Sequence, residues 1–490
     1  MGSVQPDINT KGFAIKEYLD VKATYQKLDK LVQQPPVPIS RPQMDLYLKK
    51  VNEMCPKSKA MVTKAMDVIP SGVQHNLAFN YPFPVAFSKA EGAYLYDIDG
   101  NQYIDFLQAG GPTILGSNYE LVKNKAIELI QECGPSTGLF HEYEYKIAEI
   151  ISRHMPSVDM FRMLGSGTEA VMGAIRLARL MTGKKKIIKM GGAYHGWSDQ
   201  MVYSLRIPGT WRFDAKGIPW ASTWHTQSVP PNRIDVLETR LKTNKLRGGT
   251  AAVILEPMGP ESGTYPLDAN YCKQARELCD KYGALLIFDE VVTAFRIGMS
   301  GAQGYWGVTP DLTIFGKVVA GGYPAAGGIG GKKEIMAGLA AGLQGGKKVK
   351  VGGTLAANPL SCCAGYHTLA EIERTDACAK AGRAGDRLTK GLSMLIDKYG
   401  LPYVAYNQGS ICHLETAGTL FVKINIFKIR KQLQEINARK KMMEEMGAAF
   451  MAEGIVTLAG SRLYCSMADT DEIIDEALNR FENVFQKIKV

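Results

Sequence analysis

The middle of the chain, from about residue 140 to 330, alternates short apolar runs with stretches in which apolar residues recur at helical spacing. One such stretch, 269–283, ends at Gly283, and glycine favours the left-handed conformation that often follows a helix. Apolar strands separated by helices predict βαβ units, and therefore a parallel sheet covered by helices on both faces. The predicted strands are Met160–Leu164, Ile187-Ile188, Ala251–Leu255, Ala284–Phe288 and Leu312–Phe315.

The pattern changes on both sides of this region. Residues 1 to about 50 are polar and punctuated by prolines, which predicts an N-terminal arm with one or two short helices. Alternating apolar residues on both sides of Asp99-Gly100 predict a β-hairpin within 93–106. Beyond residue 365, the pattern predicts helices at 365–400, 430–450 and 471–488 and strands at 411–425 and 455–467. The sequence therefore predicts an α/β fold in three parts: an arm and hairpin segment (1–115), a large ligand-binding domain with a mainly parallel sheet (116–365), and a smaller C-terminal α+β domain (366–490).

Composition narrows the class of protein. A length of 490 residues suits two domains, and 46% hydrophobic with 22% charged residues is typical of a globular protein. The net charge is +10, but the lysine clusters are not interleaved with aromatic residues, which argues against a nucleic-acid partner. No apolar run approaches the roughly 20 residues of a membrane-spanning helix. The N-terminal residues show no signal-peptide pattern, and nine scattered cysteines lack metal-ligand spacing, so we expect a reduced cytoplasmic protein without a metal site.

Two predicted strands end in residues that carry charge. In open α/β sheets the carboxyl ends of parallel strands line the ligand crevice, so Asp289 and Lys317 are candidate site residues. Asp289 could face a positively charged ring nitrogen, although a helix cap or a structural ion pair would also explain it. Lys317 lies among glycines, and a partly desolvated lysine is a usable nucleophile and base. The alternative for Lys317 is an ordinary surface lysine.

Three further segments offer binding groups. Ser166, Gly167 and Thr168 begin a predicted helix, whose free N–H groups suit a phosphate, although a simple helix cap is equally compatible. Tyr194 or His195 could stack on a flat ring, or pack in a loop. Thr354 lies in a glycine turn and is a second candidate phosphate ligand, or part of a tight turn. A phosphate site, a stacking ring, a strand-end aspartate and a strand-end lysine are together what pyridoxal phosphate requires.

The longer motifs carry a family resemblance. From about residue 69 to 365 the sequence resembles the class III pyridoxal-phosphate-dependent aminotransferases of fold type I, and within them the glutamate-1-semialdehyde 2,1-aminomutase-like branch. The motifs are IPSGV (69–73), EGAYLYDIDGNQYIDF (91–106), DMFRMLGSGTEAVMGAIRLAR (159–179), GGAYHGW (191–197), ILEPMGPE (254–261), LLIFDEVVTAFR (285–296), GAQGYWGVTPDLTIFGK (301–317) and GGTLAANPLS (352–361).

The resemblance implies a role for each candidate residue. Lys317 would be the Schiff-base lysine and Asp289 the partner of the pyridine nitrogen. Tyr194 would stack on one face of the ring, with Val291 on the other. The remaining predicted cofactor residues are Ser166, Gly167 and Thr168 at the phosphate, Thr354 from a partner subunit, and His195 and Glu256 lining the site. Because Thr354 would reach across a subunit boundary, the resemblance implies a C2 homodimer with shared sites.

Two departures from the aminomutase pattern concern the substrate. The aminomutases carry an arginine for the substrate carboxylate shortly after the IPSGV-like motif, whereas residues 73–79 contain none. They also carry a Ser-Trp pair where this chain has Ala109-Gly110. Arg212 and Arg462 are the alternative candidates for the carboxylate.

We therefore expect an aminotransferase that moves an amino group between an α- or β-amino acid or amine and a keto acid. A glutamate-1-semialdehyde-type aminomutase and an amino-acid racemase are the alternatives, since both begin from the same covalent adduct with the cofactor. A binding protein without catalysis would be expected to have lost Lys317 or Asp289, and both are present.

Overall fold

The computed structural model describes residues 10–488, apart from 135, 213–214, 343–345, 424–428 and 459, and only the backbone of 429–430. The strands are β1 (Phe87–Glu91), β2 (Tyr94–Asp97), β3 (Gln102–Asp105), β4 (Met160–Leu164), β5 (Lys186–Met190), β6 (Thr226–Val229), β7 (Thr250–Leu255), β8 (Leu285–Asp289), β9 (Leu312–Gly316), β10 (Gly327–Gly331), β11 (Val404–Gln408), β12 (Ile411–Glu415), β13 (Ile455–Val456) and β14 (Arg462–Tyr464).

The α-helices are α1 (Val21–Gln33), α2 (Arg41–Met54), α3 (Pro56–Ala65), α4 (Glu120–Cys133), α5 (Glu142–His154), α6 (Gly167–Thr182), α7 (Ile234–Lys245), α8 (Pro260–Gly263), α9 (Tyr271–Tyr282), α10 (Gly301–Trp306), α11 (Lys333–Met336), α12 (Pro359–Thr375), α13 (Ala377–Lys398), α14 (Ile429–Ala452) and α15 (Asp471–Phe485). Among the described helices, none is both long and apolar enough to cross a membrane.

The chain forms two compact units. The first contains the described residues up to Tyr18 together with Glu120–Ala379, and the second contains Leu19–Tyr119 together with Lys380 and the residues that follow. The sequence placed boundaries at 115/116 and 365/366, whereas the units change at 119/120 and 379/380. Residues 19–119 also join the C-terminal region in one unit, in which β3 pairs with β13 in parallel through Ile104 and Ile455.

The first unit is built on a seven-stranded sheet. Its strand order is β4-β10-β9-β8-β7-β5-β6, and the pairs among β5 to β9 are parallel. The prediction of a mainly parallel sheet is therefore confirmed. Strand β10 runs antiparallel to both β4 and β9 and was not predicted. Four of its five residues are glycine, and a Cβ at Gly328 would lie 2.4 Å from the ring of Phe161, so this strand has room only for glycine there.

Helices on this sheet begin and end where the sequence predicts. The side chain of Ser166 caps α6 by accepting from the backbone N–H of Glu169 at 3.2 Å. Helix α9 ends at Gly283, which has φ +63°. Because β5, β7, β8 and β9 are parallel, their carboxyl ends lie on one edge of the sheet. The residues that follow these strands are therefore brought together.

The second unit holds two smaller sheets, ordered β1-β2-β3-β13 and β11-β12-β14. The predicted hairpin is present as the antiparallel pair β2–β3. The predicted strand 411–425 forms only as β12, and its last two positions lie outside the described residues. The predicted strand 455–467 is two short strands, β13 and β14. Strand β11 was not predicted.

A buried arginine links separate segments of the second unit. Arg439 on α14 has a side chain only 2% exposed. Its guanidinium donates to the carbonyls of Ala417 at 2.7 Å, Val32 at 2.8 Å and Gln34 at 3.0 Å, and it pairs with Glu435. One side chain therefore satisfies three backbone carbonyls from two distant parts of the sequence.

We expect Arg439→Met to lower the free energy of unfolding by about 2–4 kcal/mol, because three carbonyls lose their donor and the ion pair with the partly exposed Glu435 is broken. Urea denaturation followed by circular dichroism measures the change. Arg41→Met is the control, since Arg41 pairs with Asp45 and Glu445 at the surface and should matter far less. Equal effects of the two substitutions would contradict the structural role of Arg439.

Candidate active site

A buried histidine–aspartate pair lies at the carboxyl end of β8. The Nδ1 atom of His195 is 2.7 Å from Oδ2 of Asp289, and both side chains are almost completely shielded from solvent. The other carboxylate oxygen, Oδ1, accepts from the backbone N–H of Val291 at 3.1 Å. Asp289 is therefore held in one orientation through both of its oxygens.

Burial determines the state of the histidine. It lowers the pKa of His195, which favours the neutral ring over the cation. Because the Asp289 carboxylate accepts, the hydrogen of the neutral ring lies on Nδ1. The Nε2 atom has no hydrogen-bond partner among the described residues. A buried nitrogen that carries no hydrogen loses less by this than a buried N–H donor would.

The two rings that were candidates for stacking have different surroundings. His195 is buried against Asp289, whereas Tyr194 is 44% exposed. The backbone N–H of Tyr194 donates to Oε1 of Glu256 at 3.0 Å. Tyr194 is thus the ring with an accessible face, and the loop that carries it is fixed through its backbone.

Glu256, directly after β7, is a buried carboxylate whose oxygens are both engaged. Besides Tyr194, it accepts from the backbone N–H of Glu261 at 2.8 Å and from the backbone N–H and hydroxyl of Ser262. Burial and the nearby charge of Asp289 raise the pKa of Glu256, and the N–H groups that it accepts from act in the opposite direction. These contacts make Glu256 a support for the Tyr194 loop and for the turn at 261–262, where both residues have positive φ.

The predicted phosphate ligands begin α6, a helix of 16 residues with free N–H groups in its first turn. The Tyr194 loop packs directly against them, since a Cβ at Gly196 would lie 2.4 Å from Oγ1 of Thr168. On the other side, a Cβ at Gly167 would lie 3.0 Å from Cγ2 of Val291. The start of α6 is therefore in contact with segments that follow β5 and β8.

Val291 also connects this region to the predicted lysine. A Cβ at Gly316 would lie 2.8 Å from Cγ1 of Val291, and Lys317 is the next residue. Strands β8 and β9 are adjacent and parallel, with Asp289 paired to Ile314. Lys317 has φ +48°, a conformation that is uncommon for a residue with a side chain and that clusters at functional sites. The structure thus brings together the segments of Ser166–Thr168, Tyr194, His195, Glu256, Asp289, Val291 and Lys317.

The remaining candidates are placed elsewhere. Thr354 is exposed, and its role in a partner subunit's site stays a prediction. The guanidinium of Arg212 donates to the carbonyls of Trp220 and Ile218 and to the hydroxyl of Thr223, and it lies over the Trp220 ring. Arg212 therefore ties its own loop together, which argues against it as the substrate's carboxylate ligand. Arg462 belongs to the second unit, in β14.

Lys189 is a buried charged residue of this region that the sequence analysis did not identify. It lies within β5, is fully buried, and donates to three backbone carbonyls of the loop that follows. A lysine between the apolar pair Ile187-Ile188 and Met190 was the available signal, since lysine is rarely buried without partners.

Comparison with known proteins identifies the family. The family described as "Aminotransferase class-III" matches residues 78–485. A relative from an Exiguobacterium species, named glutamate-1-semialdehyde 2,1-aminomutase 2, is 38% identical over 416 residues, which cover 83% of this chain and 91% of the relative. The chain belongs to the class III aminotransferases.

Solved structures agree with this class III assignment. An omega-transaminase from Sphaerobacter thermophilus matches with a TM-score of 0.77 at 27% identity, covering 88% of this chain and 97% of the other. A glutamate-1-semialdehyde-aminomutase from Pseudomonas aeruginosa PAO1, in complex with PMP, matches with a TM-score of 0.78 over 95% and 99% of the two chains. Its identity is 20%, so that likeness concerns the fold alone. The predicted fold type I architecture is confirmed.

The residues of this class III chain fit a phosphate-bearing pyridine cofactor. The first turn of α6 supplies N–H donors, and Tyr194 and Val291 supply flat and apolar contacts on neighbouring segments. The Asp289 carboxylate is buried and oriented, as a partner for a protonated ring nitrogen must be. Lys317, the residue after β9, would supply the amine.

We expect Gly196→Ala to weaken the binding of pyridoxal phosphate to the apoprotein by about tenfold or more, because the added Cβ would displace Thr168 or the Tyr194 loop. Titration followed by visible absorption measures the affinity. Gly183→Ala is the matched control, since Gly183 also has positive φ but has open space around its Cβ position. If both variants bound the cofactor more weakly than the wild type and to the same degree, backbone strain, and not the contact with Thr168, would explain the effect.

Proposed function

We propose that this protein is a pyridoxal-phosphate-dependent enzyme that moves the amino group of a small amino compound. The observation that carries the proposal is the buried pair of His195 with Asp289, which ends β8 beside the strand that leads into Lys317. Membership of the class III family and the PMP complex of the Pseudomonas neighbour support the cofactor. A C2 homodimer, in which Thr354 serves the partner subunit's site, is part of this proposal.

Asp289 holds a negative charge at a fixed place. Its two oxygens are oriented by His195 and by the backbone N–H of Val291, so the charge requires no rearrangement when a cation binds beside it. In this role Asp289 keeps a proton on the cofactor's ring nitrogen. When bound, the cofactor supplies a ring that withdraws electrons from the substrate carbon bearing the amino group.

Lys317 is the proposed covalent anchor and general base. Its amine would bind the cofactor covalently in the resting enzyme. Once freed, the Nζ atom of Lys317 would be the base that takes the proton from the substrate carbon and holds it until it is returned. The Ser166–Thr168 turn would hold the phosphate.

Glutamate-1-semialdehyde aminomutation is the first candidate reaction. The Exiguobacterium relative carries that name, and it is 38% identical over most of both chains. The comparisons thus support the aminomutase alternative of the sequence analysis better than its aminotransferase prediction.

Transfer to a separate keto acid is the second candidate. It is favoured by the absence of an arginine from residues 73–79, the segment in which the aminomutase pattern carries its carboxylate ligand. The S. thermophilus structural neighbour is named an omega-transaminase. Both candidates use Lys317 and Asp289 in the same way and differ in what becomes of the amino group.

We expect Lys317→Ala to reduce turnover by at least about a thousandfold, because the variant lacks both the covalent anchor and the base. The protein should still fold and still bind the cofactor non-covalently. Turnover and melting temperature are the measurements, and Lys333→Ala, which removes an exposed lysine of the same unit, is the control. Wild-type turnover in Lys317→Ala would refute the assignment.

The two candidate reactions are separated by supplying glutamate-1-semialdehyde to the purified holoenzyme without any keto acid. An aminomutase should convert it to the isomer with the amino group on the neighbouring carbon, and chromatography quantifies that isomer. We expect the isomer to form without an acceptor. The aminotransferase reaction is the correct one if amino compounds are instead consumed only when a keto acid is added, with one molecule of each consumed per turnover.

A further inference from the structure

A buried lysine lies directly below the loop that carries the stacking tyrosine. Lys189 is the fourth residue of β5, and its side chain has no exposed surface. Its Nζ donates to the carbonyl oxygens of Ala193 at 2.8 Å, Tyr203 at 3.0 Å and Met201 at 3.2 Å. An ammonium group has three hydrogens to donate, so three carbonyl acceptors match its charged form.

The three carbonyls join two parts of the connection between β5 and β6. Ala193 lies three residues after the end of β5, and Met201 and Tyr203 lie eight and ten residues further along. A single side chain therefore holds the segment 193–203 closed. This segment contains Tyr194, the proposed stacking ring, and His195, the partner of Asp289.

The peptide group between Ala193 and Tyr194 is held from both sides by opposite charges. Its carbonyl oxygen accepts from Lys189, and its N–H donates to the carboxylate of Glu256 at 3.0 Å. This orientation is the favourable one, because the positive group faces the carbonyl end of the peptide dipole and the negative group faces the N–H end. The backbone that positions the Tyr194 ring is thus clamped between two buried ions.

Lys189 also balances the buried negative charge of this region. Glu256 and Asp289 are both buried carboxylates, and both favour the charged form of Lys189. Burial acts in the opposite direction and lowers the pKa of Lys189. An unbalanced charge in this environment would be costly, so the lysine and the two carboxylates stabilise one another.

We infer that Lys189 is a positioning residue of the cofactor site, which acts by clamping the Ala193–Tyr194 peptide against Glu256 and closing the 193–203 loop. The inference rests on the proposed function, because Tyr194 matters to the cofactor only if pyridoxal phosphate binds here. Lys189 does not take part in the proton transfers assigned to Lys317.

The test compares Lys189→Met with the wild type. Methionine keeps the length and apolar stem of the side chain and removes all three donors and the charge. We expect pyridoxal phosphate to bind about tenfold to a hundredfold more weakly, as is found when groups that orient a site's direct ligands are removed. We also expect a weaker visible circular dichroism band per bound cofactor, since that band reports how the ring is held by its surroundings.

Two controls separate positioning from general destabilisation. Lys186→Met removes a partly exposed lysine from the other end of β5. Leu241→Ala lowers stability through a cavity at α7 and leaves all three donors of Lys189 in place. Neither control should change the affinity or the circular dichroism band, even where the melting temperature falls. Lys189→Gln, which keeps two N–H donors, should lie between methionine and the wild type.

Each outcome decides the inference. If Lys189→Met folds and binds the cofactor with unchanged affinity and band, the inference is overturned. If both Lys189 variants fail to fold while the controls fold, Lys189 belongs to the stability of the unit and the inference is again overturned. If the wild-type protein itself shows no visible band with pyridoxal phosphate, the proposed function is refuted. That result differs from a Lys189 variant whose band and affinity equal those of the wild type, which overturns only the inference about Lys189.

Discussion

Burial of charge is the constraint on which the site depends. Lys189, Glu256 and Asp289 are shielded from solvent where parallel strands approach the same edge of the sheet, and a buried charge is tolerated only with partners. Asp289 accepts from His195, Glu256 accepts from backbone N–H groups, and Lys189 donates to backbone carbonyls. The partners come largely from the loop after β5 and the turn after β7. Satisfying the three charges therefore also fixes the backbone that surrounds the proposed cofactor.

The sequence predicts those strands, helix ends and site residues that are marked by a pattern within a few neighbouring residues. Strands β4, β5, β7, β8 and β9 appear as short apolar runs, and Gly283 marks the end of α9. Once those strands are parallel, the positions of Asp289 and Lys317 at one edge follow from topology alone. Ser166 is recognisable as a helix cap because a serine stands directly before a stretch in which apolar residues recur at helical spacing. These predictions need no knowledge of distant contacts.

The parts that escaped prediction depend on packing between distant segments. Strand β10 has no apolar pattern, and its glycines are explained only by the nearness of Phe161 and other side chains from neighbouring strands. The pairing of Ile104 with Ile455 joins segments some 350 residues apart, which no local pattern encodes. Lys189 looks like an interruption of a strand until the three carbonyls around its amine are seen. Glu256 similarly sits in a recognisable motif, but its role in holding Tyr194 requires the fold.

The groups that hold the cofactor are different from those that select the substrate. In the proposed function, Asp289, His195 and Glu256 would serve amino-group chemistry of any kind, because Asp289 and His195 would act on the cofactor and Glu256 holds the Tyr194 loop. Arg212, a candidate for substrate recognition, is already committed to three acceptors in its own loop. The segment 73–79, where the aminomutase pattern places its arginine, carries none and belongs to the second unit. In the proposed function, the same proton-transfer residues can therefore serve either an internal or an intermolecular transfer of the amino group.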